Sequence, residues 1–187
     1  MKKGENMSKI LLAIANGFEE LETVSIIDIC RRATLDLNII ALEDIQTVGA
    51  HNIILKADIL LNAVRYEKYD SMIIPGGLRS AQSLAQNPKI KEALKYIHSN
   101  KGLIASICAG PLVLNAAGVL GSKYTCYPGL EEQINKANYV KEDVVVDENV
   151  ITSKGPATAI KFALEIVKTL KGVNEYRRIK KELLAKV

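Results

Sequence analysis

The chain has no tryptophan, two histidines and three cysteines among its 187 residues. Three is an odd number, and Cys30, Cys108 and Cys126 show no Cys-x-x-Cys spacing, which argues against a disulfide framework and a structural zinc site. We therefore expect reduced thiols and a cytoplasmic protein. A cysteine protease lacks an obvious base, because His51 falls in a turn region and His98 near the end of an amphipathic helix.

Long apolar runs are also missing, since none approaches the roughly 18 residues that a membrane-spanning helix needs. The polar start has no apolar core of a signal peptide behind it, so residues 1–8 are expected to be a flexible extension, with Met1 or Met7 as the native start. The formal charge of +4 sits mostly at the two ends and does not indicate a nucleic-acid site. The length and the 48% hydrophobic content predict a single domain over residues 1–187.

Short apolar stretches alternate with helical patterns along the chain. Strands buried on both faces are predicted at 10–15, 35–42, 70–74 and 102–107. Helices are predicted at 19–33, 80–86, 88–100, 111–117, 155–172 and 173–187. A small hairpin is predicted within 48–55, and further strands at 124–126, 144–146 and 150–152. This alternation predicts an α/β fold with a mainly parallel, doubly wound sheet and helices on both faces.

Two helices are expected to bury one apolar stripe each. In the first helix the stripe consists of Leu21, Val24, Ile27 and Cys30, which places Cys30 in the core. In the helix at 155–172 the stripe consists of Ile160, Ala163, Leu164, Val167 and Leu170. Glu19 and Glu20 are expected in solvent as partners of the helix dipole, whereas Glu22 borders the buried stripe.

Cys108 stands where a buried strand passes into a helix, in the segment Gly102-Leu-Ile-Ala-Ser-Ile-Cys-Ala-Gly-Pro111. This layout is typical of a nucleophile elbow, whose strained turn requires small neighbours such as Ala109 and Gly110. The N–H groups of the following helix are expected to lower the pKa of the thiol and to stabilise an oxyanion or a sulfinate. The alternative is that Cys108 is only a small buried apolar residue.

Two further segments are expected at the same edge of the sheet, where the carboxyl ends of parallel strands meet. Gly76 and Gly77 follow a strand and allow backbone N–H groups to face a ligand. A Glu22 carboxyl group buried beside a thiolate would have a raised pKa, stay protonated and donate a hydrogen bond to the sulfur. Cys126 is a further candidate, as a thiol that resolves an oxidised Cys108.

Four segments together resemble the ThiJ/PfpI superfamily, in its parkinsonism-associated deglycase, or glyoxalase III-like, branch. They stand in the family's order and are Ala13-Ile-Ala-Asn-Gly-Phe-Glu-Glu-Leu-Glu-Thr-Val24, Ile73-Ile-Pro-Gly-Gly77, Leu103-Ile-Ala-Ser-Ile-Cys-Ala-Gly-Pro111 and Thr152-Ser-Lys-Gly-Pro156. The resemblance runs from about Lys9 to Gly172. It implies a flavodoxin-like three-layer sandwich that is commonly a homodimer.

The resemblance also implies the site and its activity. Cys108 would be the oxidisable nucleophile, Glu22 its protonated carboxyl partner, and the amides of Gly77 and Ala109 an anion pocket. Additional pocket residues are expected to be Gly76, Tyr127 and Pro156. The implied activity is a conversion of small carbonyl compounds, methylglyoxal to lactate, or the repair of glycated groups, without a metal or cofactor.

One position departs from the family's pattern. Several members carry a histidine before a proline near the cysteine, where this chain has Tyr127 before Pro128. Tyrosine is a poor general base because its pKa is about 10, so protease activity is not expected. Two functions stay open: an enzyme whose Cys108 thiolate adds to a dicarbonyl, and a non-enzymatic redox sensor or chaperone in which Cys108 oxidises to a sulfinate.

Overall fold

A computed structural model describes residues 8–187, so the expected extension at residues 1–8 lies outside the described residues except for Ser8. Strands β1 to β9 are Lys9–Ile14, Asp36–Ala41, Gln46–Val48, Ile54–Lys56, Ile59–Leu60, Ser71–Ile74, Leu103–Ile107, Val144–Asp147 and Val150–Ser153. Helices α1 to α6 are Glu20–Arg32, Leu78–Gln86, Pro88–Ser99, Pro111–Ala117, Ala159–Lys171 and Val173–Glu182. Within this part of the chain, no helix is both long and apolar enough to cross a membrane.

Seven of the strands form one sheet in the order β5-β2-β1-β6-β7-β9-β8. Neighbouring strands are parallel, except that β8 runs antiparallel to β9 at one edge. The chain winds outward from β1 to β5 and then returns to β6 on the other side of β1, so the strand order reverses between β1 and β6. The carboxyl ends of β1, β6 and β7 therefore lie side by side near the centre of the sheet.

Helices cover both faces of the sheet. Helices α1, α5 and α6 pack together on one face, and α2, α3 and α4 pack together on the other. The central strands β6 and β7 are buried along their whole length, which explains why their sequences are continuous apolar runs rather than alternating ones. The flavodoxin-like, three-layer α/β sandwich predicted from the sequence is confirmed.

Most predicted elements lie within a few residues of their expected positions. The predicted hairpin is β3 paired with β4, with Val48 opposite Ile54. The strand predicted at 124–126 is wrong, because the amide of Thr125 donates to the side chain of Thr152 and only an isolated bridge joins Tyr124 to Tyr139. The last predicted helix ends at Glu182.

The apolar stripe predicted for α1 is partly wrong. Leu21 is 55% exposed and Val24 is 49% exposed, whereas Ile27 and Cys30 are buried. A spacing of three residues drifts around a helix of 3.6 residues per turn, so the first two members of the stripe fall on the outer side. The buried face of α1 consists of Glu20, Glu22, Thr23, Ile26, Ile27, Ile29 and Cys30.

The stripe predicted for α5 holds in its middle and fails at its start. Ala163, Leu164 and Val167 are buried as expected. Ile160 is exposed, and Phe162 takes its place in the core. The predicted helix starts at residue 155, whereas in the structure a 3-10 turn over Pro156–Thr158 precedes α5. The first residues of α5 therefore face other directions than in a continuous α-helix.

Two buried serine hydroxyls differ in their bonding. The Oγ of Ser80, in the first turn of α2, accepts a hydrogen bond from the amide of Ala15 at 3.0 Å. This bond ties α2 to the residue that follows β1. The Oγ of Ser71, at the start of β6, is buried with no hydrogen-bond partner among residues 8–187.

The two serines predict opposite effects of the same substitution. Ser71→Ala should raise the free energy of unfolding by about 1 kcal/mol, because it removes an unsatisfied buried hydroxyl. Ser80→Ala should lower it by about 1 to 3 kcal/mol, because the amide of Ala15 loses its acceptor. Urea unfolding followed by circular dichroism measures both free energies. The slope of the free energy of unfolding against urea concentration should be the same in the variants and in wild type. Equal destabilisation by the two variants would contradict this difference in bonding.

Candidate active site

Cys108 lies on the turn between β7 and α4. Its φ is +62°, in the left-handed region that residues other than glycine rarely adopt. Two neighbouring segments hold the turn: the Cys108 amide donates to the carbonyl of Ser153 at 2.9 Å, and the Cys108 carbonyl accepts from the amide of Tyr127 at 2.9 Å. These bonds stabilise the strained backbone that a nucleophile elbow requires.

The elbow leaves no room for larger neighbours. A Cβ atom on Gly110 would lie 2.5 Å from the carbonyl oxygen of Ile74. A Cβ atom on Gly76 would lie 2.6 Å from Cys108 Cβ and 2.4 Å from Glu22 Oε2. Glycine at position 76 therefore allows the thiol and the carboxyl group to meet beside the backbone.

Glu22 is fully buried near the start of α1. Its Oε2 accepts a hydrogen bond from the Gly76 amide at 2.7 Å, and its carboxyl group interacts with the Cys108 thiol. The other oxygen, Oε1, is buried without a hydrogen-bond partner among the described residues. Burial raises the pKa of Glu22 to about 7, although the bond from Gly76 lowers it. A large fraction of the Glu22 carboxyl group is thus protonated at neutral pH.

The thiol of Cys108 is the second buried acid of the site, with 9% of the residue exposed. Burial raises its pKa and the negative charge of Glu22 raises it further, whereas the amides of Gly77 and Ala109 lower it. The amide of Ala109 lowers the thiol pKa as expected, but the net direction is upward, because burial outweighs the amides. A thiolate is favoured only when the shared proton lies on Glu22, which then carries no charge.

The amides of Gly77 and Ala109 both bond to the Cys108 sulfur. Gly77 has a φ of +90°, and a Cβ atom there would lie 2.1 Å from the carbonyl oxygen of Gly17. Only glycine satisfies both conditions, so the direction of its amide depends on the residue type. The structure thus brings these two amides to the expected position, and their action on a substrate anion stays a prediction.

Tyr127 and Pro156 lie to one side of this centre and line a cavity of about 490 Å³. The Tyr127 ring lies against Gly155, where a Cβ atom would be 3.4 Å from the ring carbon Cδ2. Neither Cys108 nor Glu22 lines the cavity itself. Of the expected pocket residues, Gly76 lies at the thiol, whereas Tyr127 and Pro156 belong to this adjoining space.

The sequence analysis missed the pairing of Glu20 with His51. Glu20 was expected in solvent but is 5% exposed, because the β3–β4 hairpin folds over it. Its carboxylate accepts the His51 amide at 2.5 Å and lies 2.8 Å from the ring Nδ1. Burial alone would raise the pKa of Glu20, but its bonds to His51 lower it overall, and they raise the pKa of His51. A histidine in a predicted turn was the only signal in the sequence.

Potential metal ligands cluster at the same place. One ligand atom from each of Glu19, Glu20 and His51 lies within 4.8 Å of the other two. These side chains already bond within the protein, since Glu19 Oε2 accepts the amide of Glu22 at 2.7 Å and caps α1, and Glu20 bonds to His51. We assign them a structural role at the start of α1.

The other two cysteines are placed differently from Cys108. Cys30 is fully buried, as expected for a core residue, and burial raises its pKa to about 12. Cys126 is also buried, its Sγ lies 3.5 Å from the carbonyl oxygen of Tyr127, and burial raises its pKa to about 12. A role for Cys126 as the resolving thiol stays a prediction.

Comparisons with known proteins agree with this fold. The model of the DJ-1/PfpI family matches residues 8–169. The Parkinson disease protein 7 homolog of Danio rerio is 38% identical, over 95% of this chain and 97% of that protein. The glutathione-independent glyoxalase DJR-1.2 of Caenorhabditis elegans is 35% identical, over 94% and 95%. A deglycase of Pyrococcus horikoshii is 33% identical, over 87% and 99%.

Solved structures of DJ-1 proteins have the same fold. The oxidised DJ-1 of Toxoplasma gondii superposes with a TM-score of 0.92 at 34% identity, over 96% of this chain and all 100% of that one. Drosophila melanogaster DJ-1beta superposes with a TM-score of 0.91, also at 34% identity, over 97% and 100%. Nearly the whole described chain therefore has the same fold as these structures.

The raised pKa of Glu22 predicts a pH dependence of stability. The ordinary value is 4.5 and the folded value is about 7, so the folded state binds the proton more tightly. The contribution of Glu22 to the free energy of unfolding is therefore highest below pH 4.5, and it falls by about 3 kcal/mol as the pH rises to 7. Glu22→Gln should remove this loss, because glutamine keeps an acceptor for Gly76 and does not titrate.

Urea unfolding of both proteins at several pH values between 4 and 8.5 measures this difference, and groups that titrate equally in the two proteins cancel. A constant gap between wild type and Glu22→Gln across that range would show that the folded and unfolded states bind the Glu22 proton equally, so that folding does not raise its pKa.

Proposed function

The chain belongs to the DJ-1/PfpI family, and from that premise we propose that it is a cysteine-dependent enzyme of the glyoxalase III or deglycase type. Its substrates would be small reactive dicarbonyls or glycated groups. Two relatives carry the names of these activities. The observation that carries the proposal is the burial of Glu22 beside Cys108, which raises the pKa of both groups, while the amides of Gly77 and Ala109 lower that of the thiol.

The first step is addition of the Cys108 thiolate to the aldehyde carbon of a substrate such as methylglyoxal. A carbon–sulfur bond forms, and the electron pair of the carbonyl bond moves to oxygen. Protonated Glu22 supplies a proton to that oxygen and becomes a carboxylate. The amides of Gly77 and Ala109 face the sulfur and are placed to stabilise the oxygen while it carries negative charge.

The second step is an isomerisation of the hemithioacetal. The Glu22 carboxylate removes the proton from carbon 1 and a proton is returned to carbon 2. The hydroxyl proton on carbon 1 moves to the oxygen on carbon 2, so that carbon 1 becomes the carbonyl carbon. The product is a lactoyl thioester on Cys108, which has the same atoms as the hemithioacetal. Water then cleaves the carbon–sulfur bond, giving lactate and the free thiol. The sum is methylglyoxal plus water to lactate, with no external oxidant, reductant or metal.

A second candidate function is a redox sensor or chaperone. Two equivalents of peroxide oxidise a thiol to a sulfinic acid and leave two waters. The same amides of Gly77 and Ala109, together with protonated Glu22, are placed to bond to sulfinate oxygens at Cys108. This function needs no general base beyond Glu22, so Tyr127 in place of histidine favours it.

Lactate formation from methylglyoxal tests the enzyme directly. Wild type should form lactate without added thiol or metal, Cys108→Ser should form none above the spontaneous rate, and Glu22→Gln should be slower by about 100-fold or more. Cys30→Ser is the matched control and should keep the wild-type rate, because Cys30 lies in the core away from the site. Enzymatic lactate quantification after short incubations measures all four proteins.

Two outcomes would contradict the enzyme. Full activity in Glu22→Ala would remove the carboxyl group from the mechanism. No lactate from wild type, combined with a gain of two oxygens at Cys108 before Cys30 and Cys126 under graded peroxide, would favour the redox sensor. Mass spectrometry of the intact and digested protein separates these cysteines.

We further propose that the chain forms a homodimer. An apolar surface, here called the α1–hairpin patch, consists of the exposed residues Leu21, Val24, Ile53 and Ile54. The hairpin and α1 are neighbours, since His51 bonds to Glu20 and a groove is lined by Val24 and Leu55. Clustered exposed apolar residues of this kind are typical of protein interfaces.

The cytoplasmic location expected from the sequence stays a prediction.

A charge in the α1–hairpin patch should weaken the dimer. Val24→Lys is expected to raise the dissociation constant at least about tenfold, because a buried unpaired charge costs several times the thermal energy. Leu184→Lys is the control, since Leu184 is exposed at the end of α6 outside the patch. Sedimentation velocity over a range of concentrations measures both, and a monomeric wild type would contradict the proposal.

A further inference from the structure

The cavity beside the active site is larger than a three-carbon dicarbonyl needs. Its volume of about 490 Å³ lies within the range of pockets that hold drug-sized ligands. Methylglyoxal has five heavy atoms and, at roughly 30 Å³ for each water-sized unit, occupies about 150 Å³. More than half of the cavity would stay unfilled by that substrate.

Both walls of the cavity are fixed to the nucleophile elbow. Tyr127 donates its amide to the Cys108 carbonyl at 2.9 Å, and the Cys108 amide donates to the carbonyl of Ser153 at 2.9 Å. Ser153 directly precedes Lys154 and Gly155, which line the other wall. The cavity therefore lies against the two segments whose backbones hold the elbow.

The surface of the cavity suits a flat apolar group. Tyr127 is 50% exposed, and Pro128, Pro156 and Ala157 provide most of the remaining wall. Glycine at position 155 leaves room for the Tyr127 ring, since a Cβ atom there would be 3.4 Å from Cδ2. Aromatic rings bind other flat groups by stacking, with about 0.5 to 1.5 kcal/mol beyond the area that they bury.

The charges at the rim do not oppose such a group. Asp143 is paired with Lys161 at 3.1 Å, so its carboxylate is already compensated. Its carbonyl accepts the amide of Lys154 at 3.0 Å, which holds the two walls together at the rim. Besides this paired aspartate, Lys154 is the charged residue of the lining, and it stands with the apolar groups of Tyr127, Pro128 and Pro156.

From this arrangement we infer that Tyr127 is a specificity-determining residue, which selects α-oxoaldehydes that carry an aryl group or a similar flat apolar substituent. The inference rests on the proposed enzyme activity and adds the substrate class. The substituent would stack on the Tyr127 ring while the aldehyde carbon meets Cys108. The same isomerisation then converts an aryl α-oxoaldehyde plus water into the aryl α-hydroxy acid, with the atoms balanced as for lactate.

The test compares phenylglyoxal with methylglyoxal. We expect wild type to show the higher kcat/KM for phenylglyoxal, measured as mandelate, than for methylglyoxal, measured as lactate. Tyr127→Ala should lower the ratio of the two kcat/KM values about tenfold, chiefly through the KM for phenylglyoxal. Tyr127→Phe keeps the ring and should keep the ratio within about twofold. Rates in the Cys108→Ser protein are subtracted for each aldehyde.

The outcomes separate the specificity from the activity. Methylglyoxal turnover with a ratio that Tyr127→Ala leaves unchanged would overturn the specificity and leave the proposed enzyme intact. If Tyr127→Phe also lowers the ratio of the two kcat/KM values, the preference depends on the hydroxyl group of Tyr127, and stacking on the ring is overturned as its cause. No turnover of either aldehyde by wild type would overturn the proposed enzyme and the specificity with it. Thermal unfolding of each variant shows that the fold is retained.

Discussion

The close approach of two buried acids, Glu22 and Cys108, is the interaction on which the site depends. If both groups were ionised, two negative charges would lie together away from water, which is strongly unfavourable. The single charge that the pair does carry is met by three backbone amides, from Gly76, Gly77 and Ala109. This explains the glycines, because a side chain at 76 would clash with Cys108 and Glu22, and one at 77 would clash with the backbone of Gly17.

The sheet supplies these groups from distant parts of the sequence. Because the strand order reverses between β1 and β6, the segments that follow β1, β6 and β7 meet at one edge and deliver Glu22, Gly76 and Cys108 to a single point. The positive φ of Cys108 costs on the order of 1 to 3 kcal/mol. The backbone bonds to Ser153 and Tyr127 offset this strain, so the reactive geometry is maintained by main-chain groups of two neighbouring segments.

Local patterns in the sequence predicted the layers of the fold and the elbow, because apolar runs and small residues depend on their immediate neighbours. The role of Glu22 as a buried partner of the thiol rested on the family resemblance. The local patterns failed where a distant segment decided the outcome. Glu20 is buried by His51, 31 residues away, and a helical pattern contains no sign of that hairpin. The direction of the thiol pKa failed for a related reason, since it depends on the charge of Glu22 as well as on the helix amides.

The hydrogen bonds that hold the elbow use only backbone groups of Ser153 and Tyr127. The side chains beside them are therefore free to change during evolution without moving the nucleophile. A histidine or a tyrosine at position 127 meets the same main-chain requirement while presenting a different surface to the incoming molecule. Descendants of such a protein would be able to exchange one metabolite for another through single substitutions, with the reacting sulfur kept in place.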